Sequence, residues 1–352
     1  MFVQRFVCML AFMAAFYPLV ASGQPAESAA GSSSQPIRLD AVVETKSGEP
    51  VTNLTQKDFT LLDNKSPRSV ASFKIVRSVD DPVSVIVLLD AVNTPYQMVA
   101  YARDGTSRFL KSNEGQLADP TSIAVLTDQG VQFDKSFSTD GNALSDALAH
   151  HQIGLREINR SSEWSGPERL QICINALHQL IAFASQLPGR KALLWISPGW
   201  PLESGPRIDL DSKQEHQIFN EVVALSTQLR QTRLTLYNIN PVGVQESLLR
   251  ADFYQAFLKG ISKPDQAQLG DLAIQVLAFQ SGGLAIESNS DVAGMIQRCL
   301  LDAKSWYEIG FDPAPADKPD EYHHLEIRVD RPGLVVRTRD GYYANPEPIQ
   351  AK

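Results

Sequence analysis

The sequence predicts an α/β fold: a central, mostly parallel sheet covered by helices and set into a small β-sandwich formed by the N- and C-terminal flanks. Three observations lead there. Strand patterns alternate with helix patterns from residue 81 to residue 305, the rhythm of strand–helix–strand units that build a covered parallel sheet. Val83–Leu89 is apolar but for Ser84, too short and too β-branched for a helix and suited to a strand buried on both faces. The flanks, 37–80 and 306–346, carry strand and turn chemistry with no helical period. Neither flank has enough strands for a core of its own, so pairing the two in one sandwich is the economical arrangement.

In chain order, Arg5 precedes the apolar run Val7–Val20, and Ala21-Ser22-Gly23 follows with small side chains. This pattern is expected to be a cleavable secretory signal over residues 1–23, too short for a stable membrane span. Cys8 lies inside the run rather than at the cleavage point, which argues against a lipoprotein signal. Residues 24–36, rich in Ala, Ser and Gly, read as a flexible linker. IRLDAVVET alternates as a strand, KSGEPV is turn chemistry, and DFTLLDNKSPRSVASFKIV holds two further strands around Asp63–Ser66.

After Val83–Leu89 the pattern predicts a helix over Gln97–Lys111, strands at Ser122–Thr127 and Val131–Phe137, and a helix from Asn142 to His151. Pro167–Gln186 has the clearest helical stripe, through Leu170, Cys173, Ile174, Leu177, Ile181 and Ala184. Pro167 suits its first turn, and Leu187-Pro188-Gly189 ends it. A strand at Lys191–Ser197, a helix at Glu215–Gln231 and a strand at Leu234–Ile239 come next. Asn240–Lys263 is an insertion without a clean period. A helix over Asp265–Gln280, a short strand at Leu284–Glu287 and a helix over Val292–Lys304, N-capped by Asp291, complete the α/β part. WYEIGFDP, YHHLEIRV and LVVRTRDGYY close the chain as antiparallel strands.

A chain of 352 residues has room for about two domains. With 40 acidic against 32 basic residues the formal charge is −8, which becomes −9 if residues 1–23, carrying Arg5 and no acid, are removed. A mildly acidic protein is not built to coat nucleic acid or anionic lipid. No nucleic-acid partner is expected, and membrane contact only through the export signal. Cys173 and Cys299 fall on apolar helix faces and read as buried thiols. Export would permit a disulfide, so their pairing stays open.

VSVIVLLDAVNT followed by a helix, with ALLWISPG and TLYNINP further on, resembles a von Willebrand factor type A (VWA) domain. The mature chain is similar throughout to exported bacterial VWA-related proteins, through AVVETKSGEPVTNLTQKDFTLLDNKSPRSVASF near its start and WYEIGFDP…HHLEIRVDRPGLVVRTRDGYYA at its end. The resemblance implies a Rossmann-like VWA domain at 81–305 and says little about biochemical role. VWA domains often hold a metal at the carboxyl edge of the sheet, through D-x-S-x-S after the first strand, a Thr before a later helix and an Asp after the fourth strand. Mg²⁺ takes six hard oxygen ligands, and a partner's carboxylate can complete the shell.

Carried over residue by residue, Asp90 and Thr94 match the first and last positions of that motif. Val92 stands where a hydroxyl is needed, and Pro198 where the later Asp belongs. Ser162 or Ser165 could replace the Thr, with nothing to choose between them. Asn93 and Ser197 have the wrong strand parity to substitute. The implied site is a degenerate one for Mg²⁺ or Mn²⁺. In the metal-free alternative, Asp90 and Thr94 cap the following helix. The metal reading needs Asp90 mid-sheet and facing a solvent cleft.

Haloacid-dehalogenase-like phosphohydrolases also place a nucleophilic Asp after the first strand, in D-x-D-x-[TV]. D-A-V-N-T lacks the second acid, and no activating partner for Asp90 is found. The chain has no G-x-S-x-G, no P-loop and no G-x-G-x-x-G, and no catalytic residue is assigned. His150-His151 and His323-His324 are adjacent pairs that cannot chelate alone and read as surface side chains. What remains is a binding surface. Tyr96, Trp164 and Trp200 fall in loops at the carboxyl edge, where exposed aromatics serve as anchors; the alternative is that the tryptophans fold onto the chain's own core. The expected function is non-enzymatic protein–protein interaction or adhesion at the bacterial cell envelope, with a protein partner and a secreted or periplasmic address. A metal-assisted hydrolase using Asp90 and a purely structural envelope protein are the alternatives.

Overall fold

The computed structural model describes residues 36–150, 165–201, 210–243, 254–287 and 290–346. Ser162, Trp164, the expected signal and most of the expected linker lie outside them. From the N-terminal side come β1 (Ile37–Thr45), β2 (Phe59–Asp63), β3 (Ser66–Arg68) and β4 (Val70–Arg77). Asp63 and Ser66 face each other across a two-residue turn in which Asn64 and Lys65 have φ of 49° and 67°. Two successive positive φ values make a turn whose twist matches a hairpin.

The α/β part opens with β5 (Ser84–Asp90), α1 (Tyr96–Leu110), β6 (Gln116–Thr127), β7 (Gly130–Phe133), β8 (Ser138–Asp140) and α2 (Gly141–His150). It continues through α3 (Ser165–Ala184), β9 (Lys191–Ile196), α4 (Ser212–Gln231), β10 (Leu234–Ile239), α5 (Ile274–Gln280), β11 (Ala285–Ile286) and α6 (Val292–Lys304). The order across the sheet is β11-β10-β9-β5-β6-β7, with β8 also on β6. β5 lies between β9 and β6 and is parallel to both; β7 and β8 run antiparallel to β6.

Strand parity explains the two layers of helix. Ile86 and Leu88 pack with Cys173 and Leu177 of α3, Phe219 and Val222 of α4, and Leu277 of α5. Val85, Val87 and Leu89 point the other way, onto Phe109 of α1 and Met295, Ile296 and Cys299 of α6. Cys173 and Cys299 are therefore buried thiols on opposite faces of one sheet, and both are free. Among the described residues no helix is long and apolar enough to cross a membrane.

The chain then returns to the flank through β12 (Ser305–Phe311), β13 (Glu321–Val329), β14 (Leu334–Arg337) and β15 (Gly341–Ala344). β1 pairs antiparallel with β12 and β14, and β12 with β4, giving one sheet ordered β14-β1-β12-β4. A second sheet is ordered β15-β13-β2-β3. Side chains of both sheets share two apolar clusters: Leu39 and Phe311 meet Leu61, Leu325 and Tyr342, while Val43 and Ile309 meet Phe59.

Three sequence expectations are corrected here. The helix over Asp265–Gln280 is broken into 3₁₀ turns at Pro264–Gln266 and Leu269–Leu272 before α5 begins. Gly270 sits where a side chain would collide with the Phe257 ring, and Asp271 turns its carboxylate back to the Gln268 N–H at 2.8 Å; such local bonds compete with a helix. LVVRTRDGYY is two strands in different sheets rather than one. His323 is buried at 2% exposure, its Nδ1 3.0 Å from the Asp63 carboxylate, while its neighbour His324 is exposed.

Candidate functional site

β5 ends at Asp90 in the middle of the carboxyl edge, the position where open α/β sheets place ligands. The chain leaves the strand there, runs through Ala91–Thr94, and enters α1 behind Pro95. Asp90 is only 2% exposed. Its Oδ1 accepts the backbone N–H groups of Val92 and Asn93, both at 2.8 Å. Its Oδ2 accepts the Asn93 side-chain amide at 2.7 Å and the Trp195 indole N–H at 3.0 Å. The Ser197 hydroxyl is bonded to Gly199 instead, donating to its carbonyl at 3.3 Å and accepting its N–H at 3.1 Å. An ionised carboxylate has about four acceptor positions, and here they are filled by neutral donors of the chain itself. Burial pushes the Asp90 pKa up, against the pull of the bonds from Asn93 and Trp195.

Asp90 thus lies mid-sheet, but the expected solvent cleft is corrected: the acid is enclosed. The enclosing group is Trp195, which pairs with Leu88 on the neighbouring strand β9 and reaches the end of β5. The helix-capping alternative is corrected too. α1 is preceded by Pro95 and has no side-chain cap bond, so Asp90 caps the loop before the helix rather than the helix. Asn93 reaches Asp90 because it lies beyond the end of its strand, where strand parity no longer applies.

The residues present do not fit Mg²⁺ or Mn²⁺. Such ions need several open hard oxygens, whereas both Asp90 oxygens are occupied by N–H groups. Val92 is an apolar side chain at 0% exposure, and Thr94 is 1% exposed. Ser165 opens α3. Among the described residues no group of three or more His, Cys, Asp or Glu could hold a metal ion. An acid enclosed in this way offers neither a metal ligand nor an accessible nucleophile.

Trp200, expected at an exposed rim, is corrected as well. It is 2% exposed and packs edge-on against Trp195, with ring centroids 5.3 Å apart. Gly199, at φ 121°, turns the chain back behind Pro198 and lets the ring fold inward. Tyr96 is 65% exposed at the first position of α1. The sequence reading missed Trp195, and it placed Cys173 as a buried thiol without its contact to the Asp90 loop. A tryptophan in the otherwise aliphatic KALLWI was the available signal, since a buried indole N–H needs an acceptor. Cys173 Sγ accepts from Asn93 at 3.0 Å, and burial, then the nearby Asp90 charge, push its thiol pKa well up.

No family model matches the chain, and no curated protein sequence does. Among solved structures it is similar to a point mutant of the PilB minor pilin from Streptococcus sanguinis, at 12% identity and a TM-score of 0.38, over 75% of this chain and 79% of that one. It is also similar to the manganese-loaded TRAP protein of Plasmodium vivax, at 8% identity and a TM-score of 0.35, over 82% of this chain and 100% of that one. A third is the pilus adhesin SpaC from Lactobacillus rhamnosus GG, at 10% identity and a TM-score of 0.36; the likeness covers 84% of this chain and 49% of the adhesin.

What the edge can do follows from its own residues. The Asp90 bonds fasten residues 90–93 into one conformation, and the loop so held leads directly into Tyr96. A large aromatic on a rigid support loses little entropy when it docks.

Proposed function

We propose that this chain is a non-enzymatic protein-binding or adhesion module of the bacterial cell envelope, VWA-like in type, which recognises a protein partner without a metal ion. The observation that carries the reading is the closed shell of four N–H donors around Asp90. With its carboxylate committed inward, the DAVNT loop acts as a rigid mount rather than as a ligand set, and Tyr96 is the exposed aromatic it presents. The export-signal pattern of Arg5, Val7–Val20 and Ala21-Ser22-Gly23 supports a secreted or periplasmic address.

The test is capture of a cross-linked partner from envelope extract by the immobilised protein. Capture is expected to be equal in EDTA and in Mg²⁺, and to fall about tenfold with Tyr96→Ala, the loss typical of one anchor residue. Calorimetric titration of Mg²⁺ or Mn²⁺ at millimolar concentration should give no heat. Capture abolished by EDTA, or phosphatase activity lost in Asp90→Asn, overturns the reading.

A further inference from the structure

At the opposite, amino edge of the sheet lies a cavity of about 420 Å³ between α1, α6 and the first residues of β6. That size is within the range of small-molecule sites. Phe109, Leu117, Leu300 and Leu301 give it apolar walls; Asp119 lines it as a carboxylate, and Lys304, exposed at the end of α6, is the cation of the lining. Asp119 is 7% exposed. Its Oδ1 accepts the Val83 backbone N–H at 3.2 Å, and its Oδ2 accepts no hydrogen bond and enters no ion pair among the described residues. Burial pushes its pKa up, with the Val83 N–H and the Arg190 charge pulling the other way. Arg190 is engaged elsewhere: it donates to the Asp302 carbonyl at 2.8 Å and lies 5.1 Å from the centre of the Trp306 ring.

A largely buried carboxylate is stabilised by a paired cation or by donors to both oxygens, and here one oxygen is left without a protein donor beside a cavity that has one apolar wall. We propose that this cavity binds a small amphipathic amine, its apolar body against the Phe109–Leu117–Leu300–Leu301 wall and its ammonium on the open oxygen of Asp119. A divalent cation is a poor match, since a single carboxylate supplies too few hard ligands. An apolar carboxylate would meet Asp119 as a like charge and would find its cation only in Lys304, which is exposed to solvent. The proposal does not rest on partner binding at the carboxyl edge.

The probes are 2-phenylethylamine, 2-phenylethanol and 3-phenylpropanoate, titrated into the intact protein by calorimetry and saturation-transfer NMR. The amine is expected to bind about tenfold more tightly than the alcohol, as a charged hydrogen bond would give, and the carboxylate not at all. Asp119→Asn keeps an acceptor for Val83 and should erase the preference for amine over alcohol while leaving alcohol binding intact. Gln297→Trp, at an exposed residue of the lining, should weaken amine and alcohol alike by obstructing the cavity. Melting curves establish that both variants fold. Alcohol or carboxylate binding as tightly as the amine overturns the proposal, as does Asp119→Asn retaining the preference, or no probe binding at millimolar concentration. If Asp119→Asn does not fold, unchanged amine binding in Gln297→Trp is itself enough to overturn it.

Discussion

Asp90 shows how far one residue can be read from its neighbours in sequence. DAVNT at the end of an apolar strand correctly puts an acid at the middle of the carboxyl edge, because strand period and length are local properties. What the acid does there was not legible, since its decisive partner, Trp195, is 105 residues away along the chain. The indole N–H donates to a buried carboxylate whose pKa burial has already raised. An acid with a raised pKa contributes most to stability below the ordinary carboxylate range, and that contribution is lost as pH rises through the raised value. Removing the indole donor leaves the ionised form worse satisfied and the protonated form nearly untouched. Trp195→Phe should therefore destabilise by about 2 kcal/mol at a high pH where Asp90 is ionised and by clearly less at a low pH where it is protonated, in urea melts of both proteins. In an Asp90→Asn background the effect of Trp195→Phe should no longer change with pH. A penalty that is the same at both pH values with Asp90 present would show that the indole acts only by filling space.

Elements were most legible where their own period identified them, as in α3 and β9, and least legible where partners decide. The strand LVVRTRDGYY reads as continuous, yet β14 joins β1 and β15 joins β13. Arg337, the last residue of β14, reaches from the flanking sheet to the α/β core. Arg337 holds Asp302 of α6 through two bonds of 2.6 and 2.7 Å and reaches Glu44 of β1 at 3.3 Å. Arg298 of α6 holds Glu44 at 2.8 Å, and the Tyr237 hydroxyl donates to Asp302 at 3.0 Å. Asp302 is 1% exposed, so this is a buried network in which removing one member strands the others. Asp302→Ala should destabilise by about 3–5 kcal/mol, the usual effect of leaving a buried charge unpaired. Asp302→Asn, which still accepts from Tyr237 and Arg337, should lose less. Equal, small losses for both variants in chemical denaturation would mean that water reaches the junction and screens it.

At the scale of the whole molecule, the α/β class and the largely parallel central sheet were legible because alternating periods impose them. The coupling of that sheet to the flanking antiparallel sheets was not, because it depends on which side chains cross between them. Val42 of β1, Val76 of β4 and Trp306 of β12 belong to the same apolar cluster as Val85, Val87 and the inner faces of α1 and α6. Trp306 is 1% exposed and carries the Arg190 guanidinium over its ring. A cluster drawn from both parts cannot be dismantled on one side without exposing the other, so the two should open together. Unfolding in urea followed by far-UV and near-UV circular dichroism should give coincident curves. Trp306→Ala should remove about 3–5 kcal/mol, the range for deleting a large buried ring, and shift both curves by the same amount. Two separated transitions, or a Trp306→Ala shift seen by only one probe, would mean that the flanking sheets fold independently of the sheet they enclose. Asp90 would then be held by the central sheet alone, and its bonds would survive loss of the flanking sheets.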